Sequence, residues 1–61
     1  MLINRIQKRI FAQLSECMDM DHDEYVRAHS RHYLGRLVSS LENLTEEDGD
    51  VWIARAYLQS L

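Results

Sequence analysis

The sequence predicts an all-α protein, a small three-helix unit of 61 residues. Three observations favour this class: apolar residues recur every three or four positions, proline is absent, and short polar stretches separate the periodic segments. The helices are expected at about 3–18, 24–44 and 46–61, in one domain over residues 1–61. We expect the first two to form an antiparallel hairpin and the third to complete a homodimeric helical bundle.

The first predicted helix, at about residues 3–18, is amphipathic. Its apolar face is formed by Ile3, Ile6, Ile10, Leu14 and Cys17. Arg5, Lys8 and Arg9 all come before the first acidic residue of the chain, Glu16. A basic amphipathic segment of this kind also fits a targeting peptide or a membrane-surface helix. We favour a core helix, since the apolar stripe is narrow and matches that of the second helix.

The second predicted helix is the longest periodic run, and its neighbours depend on it for burial. Its apolar stripe consists of Val26, Tyr33, Leu34, Leu37, Val38, Leu41 and Leu44. The linker before it, DMDHD at positions 19–23, is short enough to predict the hairpin. Asp21 or Asp23 is a suitable N-cap for this helix.

The third predicted helix begins with a capping-box pattern from Thr45 to Asp48. Gly49 follows and costs about 1 kcal/mol relative to alanine inside a helix. Beyond it the helix is apolar nearly all round, and such a helix is normally buried on more than one side. The residues expected at a contact between copies are Trp52, Ile53, Tyr57 and Leu61, with Val51 and Leu58 facing inward.

A second candidate contact lies on the side of the second helix away from its apolar stripe. It is formed by Tyr25, His29, His32 and Arg36, which are spaced four, three and four residues apart. One interpretation is a solvated face; the other is a second packing seam, since Tyr and Arg are typical interface anchors. The histidine pair would make such a seam sensitive to acid.

Metal, cofactor and catalytic sites are not expected. Three aspartates have the spacing that opens a calcium loop: Asp19, Asp21 and Asp23. Glu24 stands where that loop needs glycine, and Ser30 where it needs a closing glutamate, so helix capping explains the aspartates better. Three histidines lie on or near the second helix, His22, His29 and His32, without further ligands of fixed geometry. No spacing of nucleophile, base and orienting group indicates an enzyme.

Charge and cysteine content limit the function classes. Seven bases against ten acids give a net charge of −3, which argues against a general nucleic-acid coat protein. The single cysteine, Cys17, excludes an intrachain disulfide and favours a reducing compartment, so a cytoplasmic location is expected. No apolar run approaches the roughly 18–20 residues of a membrane span.

The sequence therefore predicts a non-catalytic protein–protein interaction module, a small helical regulator or adaptor. It is expected to self-associate as a two-fold dimer, to bind another protein, or both. Charges alternate in blocks along the chain, which suits helices or copies that meet plus to minus. The alternative is a nucleic-acid-binding regulator that contacts phosphates through Arg5, Lys8, Arg9, Arg27 and Arg31.

Overall fold

The computed structural model describes residues 1–59 and confirms an all-α fold of three helices, with no strand in that range. Helix α1 spans Arg5–Cys17, α2 spans His22–Leu34 and α3 spans Glu46–Gln59, with a short 3-10 turn at Leu41–Asn43. Each helix contacts the other two. None of the described helices is long and apolar enough to cross a membrane. The predicted contact residue Leu61 lies outside the described residues.

Two predicted helix caps are confirmed. The side chain of Asp21 accepts a hydrogen bond from the backbone N–H of Asp23 at 3.2 Å and caps α2. At the start of α3, the N–H of Asp48 donates to Thr45 Oγ1, and the N–H of Thr45 donates to Asp48 Oδ2, both at 3.1 Å. These bonds satisfy amides that the first turn of a helix leaves unpaired.

Helix α2 ends at Leu34, so the prediction of one helix over residues 24–44 is wrong beyond that point. Gly35 follows in the left-handed region with φ of 76°, and its N–H donates to the carbonyl of Arg31 at 3.0 Å. A left-handed glycine directly after the last turn is a common helix terminator, because glycine adopts positive φ without steric cost. The apolar spacing continued past this residue although the helix did not.

The segment 36–40 runs back along α2 instead of extending it. The buried hydroxyl of Ser30 accepts a hydrogen bond from the N–H of Val38 at 2.9 Å. Nearer the start of α2, Asp23 Oδ1 accepts from the N–H of Leu41 at 3.0 Å. Val38 and Leu41 are therefore buried, as their apolar spacing predicted, but from a returning segment rather than from a helix.

The core is centred on Trp52, which is fully buried. Its ring packs edge-on against Phe11 of α1 with centroids 5.1 Å apart, and it stacks on Tyr33 of α2 at 4.9 Å. Its indole N–H donates to the hydroxyl of Tyr25 at 3.1 Å. The prediction that Trp52 and Tyr25 lie at a contact between copies is thus wrong, because the helices of one chain bury both.

Helix α3 is rotated relative to the prediction. Gly49 and Trp52 face the core and Ile53 is partly buried against it, whereas Val51 and Leu58, predicted to face inward, are exposed. The rotation follows from Trp52, the largest side chain of the helix. Its ring packs on Phe11 and its N–H donates to Tyr25, both in the core. Tyr57, predicted on the outward side together with Trp52, is exposed, so the rotation reverses the predicted positions of Trp52, Val51 and Leu58 but not that of Tyr57.

The residues before α1 pair with the residues before α3. Leu2 and Thr45 form a single antiparallel β-bridge, and the N–H of Ile3 donates to the carbonyl of Leu44 at 3.0 Å. These backbone bonds hold the N-terminal ends of α1 and α3 side by side.

A close contact between Gln7 and Gly49 joins the first turns of these two helices. The Gln7 amide is buried, and its Nε2 donates to the carbonyl of Glu46 at 3.0 Å and to Asp50 Oδ1 at 2.8 Å. Its Oε1 accepts from the N–H of Asn4 at 3.1 Å, which completes a capping box on α1. A Cβ atom at Gly49 would lie only 2.8 Å from Gln7 Nε2, so the glycine makes room for this amide.

We expect Gly49→Ala to lower the free energy of unfolding by about 1 kcal/mol. Alanine gains about 1 kcal/mol over glycine in a helix, but displacing the Gln7 amide leaves buried polar groups unpaired at about 1–3 kcal/mol. Urea unfolding measures the change. In a Gln7→Ala background, where space is open, the same substitution should be neutral or stabilising. Stabilisation in both backgrounds would show that the contact carries no energetic weight.

Candidate interaction surface

Four of the eight large exposed apolar side chains within residues 1–59 lie on α1 and α3. Ile6 is 73 % exposed, Tyr57 58 % and Leu58 68 %. Val51 is also exposed, and Ile10 is half-buried. We call this surface the α1–α3 face and define it by Ile6, Ile10, Val51, Tyr57 and Leu58. It is the candidate functional site, because large apolar side chains grouped at a surface mark contacts with other molecules.

The orientation of α1 places Ile6 and Ile10 on the side of α3. Gln7 hydrogen-bonds to Asp50 on one side of α1, whereas Lys8 lines a groove shared with α2 on the other side. At about 100° per residue, Lys8 is turned to one side of Gln7 around the helix, and Ile6 and Ile10 are both turned to the other side. The two isoleucines therefore flank the side of α1 that meets α3.

The α3 part of the face continues from that flank to the outer side of the helix. Tyr57 stands seven residues, or about two turns, after Asp50 and so shares its direction. Val51 and Leu58 are likewise seven residues apart, and both are exposed about a third of a turn around the helix from buried Trp52. One side of α3 is thus buried in the core and the other carries apolar residues to solvent.

Charged side chains border the α1–α3 face. Arg5 and Arg9 are exposed beside Ile6, and Glu47 and Asp50 are exposed before and beside Val51. Within residues 1–59 no ion pair involves any of these four charged residues. The basic residues that border the face are on α1 and the acidic ones are on α3. Both groups lie near the N-terminus of their helix.

The four residues of the predicted second seam on α2 do not form one outward-facing stripe. Tyr25 is buried, and the half-buried ring of His29 packs against it with centroids 5.0 Å apart. The exposed His32 lies with its Nε2 2.7 Å from Gln59 Nε2 of α3. The prediction that these residues share a side away from the core is wrong, because the buried side of α2 begins with Tyr25 itself. Arg36, the fourth member, is not in α2.

Arg36 instead pairs with Asp48 and ties the segment after α2 to the first turn of α3. The hydrogen bond from Arg36 lowers the pKa of Asp48 below its ordinary value, and hydrogen bonds from Thr45 act in the same direction against partial burial. The same bond raises the pKa of Arg36. At the other end of the segment, the backbone N–H of Leu41 lowers the pKa of Asp23.

We expect the Arg36–Asp48 pair to make stability depend on acid. Because the folded-state pKa of Asp48 lies below its ordinary value of 3.8, the pair contributes fully above that pH and is lost as pH falls through the folded pKa. Asp48→Asn should be less stable at neutral pH and should lose less stability between about pH 5 and pH 3. Urea unfolding across this range measures the slope. Glu42→Gln, which removes an exposed carboxylate, serves as control; an unchanged slope in Asp48→Asn contradicts the expectation.

The residues of the nucleic-acid alternative are all exposed: Arg5, Lys8, Arg9, Arg27 and Arg31. They do not form an uninterrupted basic surface. Arg27 donates to the carbonyl of Ser39 at 3.4 Å, and Lys8 lines its groove together with Asp23 and Glu42. Phosphate contact normally uses bases clustered on one face, so this arrangement gives the alternative little support.

The linker aspartates work as structural hydrogen-bond acceptors. Ligand atoms of Asp21, His22 and Asp23 lie within 4.8 Å of one another. Asp21 caps α2 and Asp23 binds the returning segment, while Asp19 turns the chain after α1 with φ of 55°. A groove of about 350 Å³ adjoins His22 and Asp23. Among the described residues every buried side-chain N or O atom has a hydrogen-bond partner.

Comparisons with protein-family models, with curated proteins and with solved structures find no match to this chain. The candidate site therefore stands on its own geometry. Ile6, Val51 and Leu58 were assigned by their spacing to apolar faces that would be buried within the chain, and the structure exposes all three. Only the surplus of apolar residues on α3 signalled a contact surface, and it did not show which side would carry it.

Proposed function

We propose that this protein is a non-catalytic protein–protein interaction module, a small helical regulator or adaptor that self-associates through the α1–α3 face. The observation that carries the proposal is the exposure of Ile6, Tyr57 and Leu58 on adjacent helices of one small chain. Fully burying an isoleucine or leucine such as Ile6 or Leu58 contributes up to about 1.5–3 kcal/mol. A two-fold contact would bury each of them twice.

The role of association differs from completing the core. Trp52 is already buried within one chain, so a partner is not needed to cover it. A chain of about 60 residues is nevertheless marginally stable, and binding to the folded state adds stability by mass action. The exposed thiol of Cys17 suits a reducing compartment, which is why we propose the cytoplasm.

Binding to nucleic acid remains the alternative function. Arg5 and Arg9 have no acidic partner within the described residues, which leaves them available to phosphates. The net charge of −3 and the acids beside Lys8 oppose it. Protein–protein association uses both the apolar residues of the α1–α3 face and the charged residues that border it, and we therefore favour it.

Leu58→Glu should weaken self-association about tenfold or more, because a buried leucine contributes at least the 1.4 kcal/mol that a tenfold change requires. Sedimentation equilibrium measures the dissociation constant, and circular dichroism checks that the helices persist. Leu37→Glu is the matched control, since Leu37 is 60 % exposed but lies in the segment after α2. A wild type that stays monomeric at about 100 μM, equivalent to less than roughly 5.5 kcal/mol of association, contradicts the proposal.

A further inference from the structure

We infer that the α1–α3 face binds a second copy of this chain in one charge-matched arrangement, with α1 of each copy lying over α3 of the other. Arg5 and Arg9 of one copy then face Glu47 and Asp50 of the second. This inference rests on the proposed function and adds the partner's orientation and the residues that select it.

The first support is charge complementarity along the face. The described part of α1 carries Arg5 and Arg9 without an intrachain ion pair, and the first turns of α3 carry exposed Glu47 and Asp50 without a cation. Asp50 accepts one hydrogen bond from Gln7, through Oδ1. Opposite charges placed across an interface steer association and exclude wrong arrangements.

The second support is the relative placement of the two helices. The N–H of Ile3 bonds to the carbonyl of Leu44, and the Gln7 amide bonds to Asp50, so the first turns of α1 and α3 lie together. One turn after Gln7, Phe11 packs on Trp52, so contacts advance in the same direction along both helices. A two-fold axis running between and along the helices therefore lays α1 of one copy on α3 of the other in register, and each contact occurs twice.

The competing arrangement, with α1 on α1, brings like charges together. With the two-fold axis crossing the helices at their first turns, this antiparallel stacking brings Arg5 and Arg9 of the two copies together, as it does the Glu47 residues where α3 lies on α3. Like charges that meet across an interface weaken association, so they select against this stacking. In the crossed arrangement Ile6 of one copy lies against the exposed apolar side chains of α3 of the other, and the charges form a polar rim beside them.

The test uses two charge reversals, Arg9→Glu and Glu47→Arg. Each alone places like charges at both symmetric contacts and should weaken self-association about tenfold or more. An equimolar mixture of the two variants has opposite charges at both contacts, so it should form a mixed dimer about as tight as wild type. Native mass spectrometry with one variant isotope-labelled identifies the mixed species, and sedimentation equilibrium gives its dissociation constant.

Matched controls place the same charge changes on α2. Arg31→Glu reverses an exposed arginine, and Glu24→Arg reverses an exposed glutamate in the first turn of a helix, as Glu47 is. Both should self-associate as wild type does. If the reversals on α1 and α3 change the dissociation constant by less than about twofold, or if mixing fails to restore the dimer, the inference is overturned. The proposed function is judged separately by Leu58→Glu, which tests the apolar face without touching these charges.

Discussion

The fold depends on the burial of Trp52, because this one side chain contacts both other helices. Its ring lies against Phe11 of α1 and against Tyr33 of α2. Its N–H needs a partner inside the core, since an unpaired buried donor costs about 1–3 kcal/mol. Tyr25 supplies that partner and is buried with it; desolvation raises the pKa of Tyr25, which keeps the phenol neutral. The rotation of α3 follows from these contacts.

Local signals in the sequence predicted the local structure well. The all-α class and the caps at Asp21 and Thr45 are confirmed, because capping depends on residues within three positions of each other. The end of α2 was missed although Gly35 marked it, since the apolar spacing continued into a segment that is buried in another way. The apolar spacing could not predict the rotation of α3. Val51 and Trp52 are both apolar, and only tertiary contacts decide which of them is buried.

The proposed function depends on the division of α3 into a buried side and an exposed side. The Gln7–Gly49 contact and Trp52 fix which side faces inward, and the same contacts leave Val51 and Leu58 in solvent. The chain therefore does not need a partner to form its core. The proposed contact would use the exposed apolar side chains of the α1–α3 face together with bordering charges of opposite sign, which form no ion pair within residues 1–59.

The most direct test of the account is the fluorescence of Trp52, the single tryptophan of the chain, across a dilution series that dissociates any assembly. Burial inside one chain predicts a blue-shifted emission and weak acrylamide quenching that stay constant from the associated to the dissociated protein. A red shift with stronger quenching on dilution, while circular dichroism shows the helices intact, would place Trp52 at the contact between copies and contradict the account.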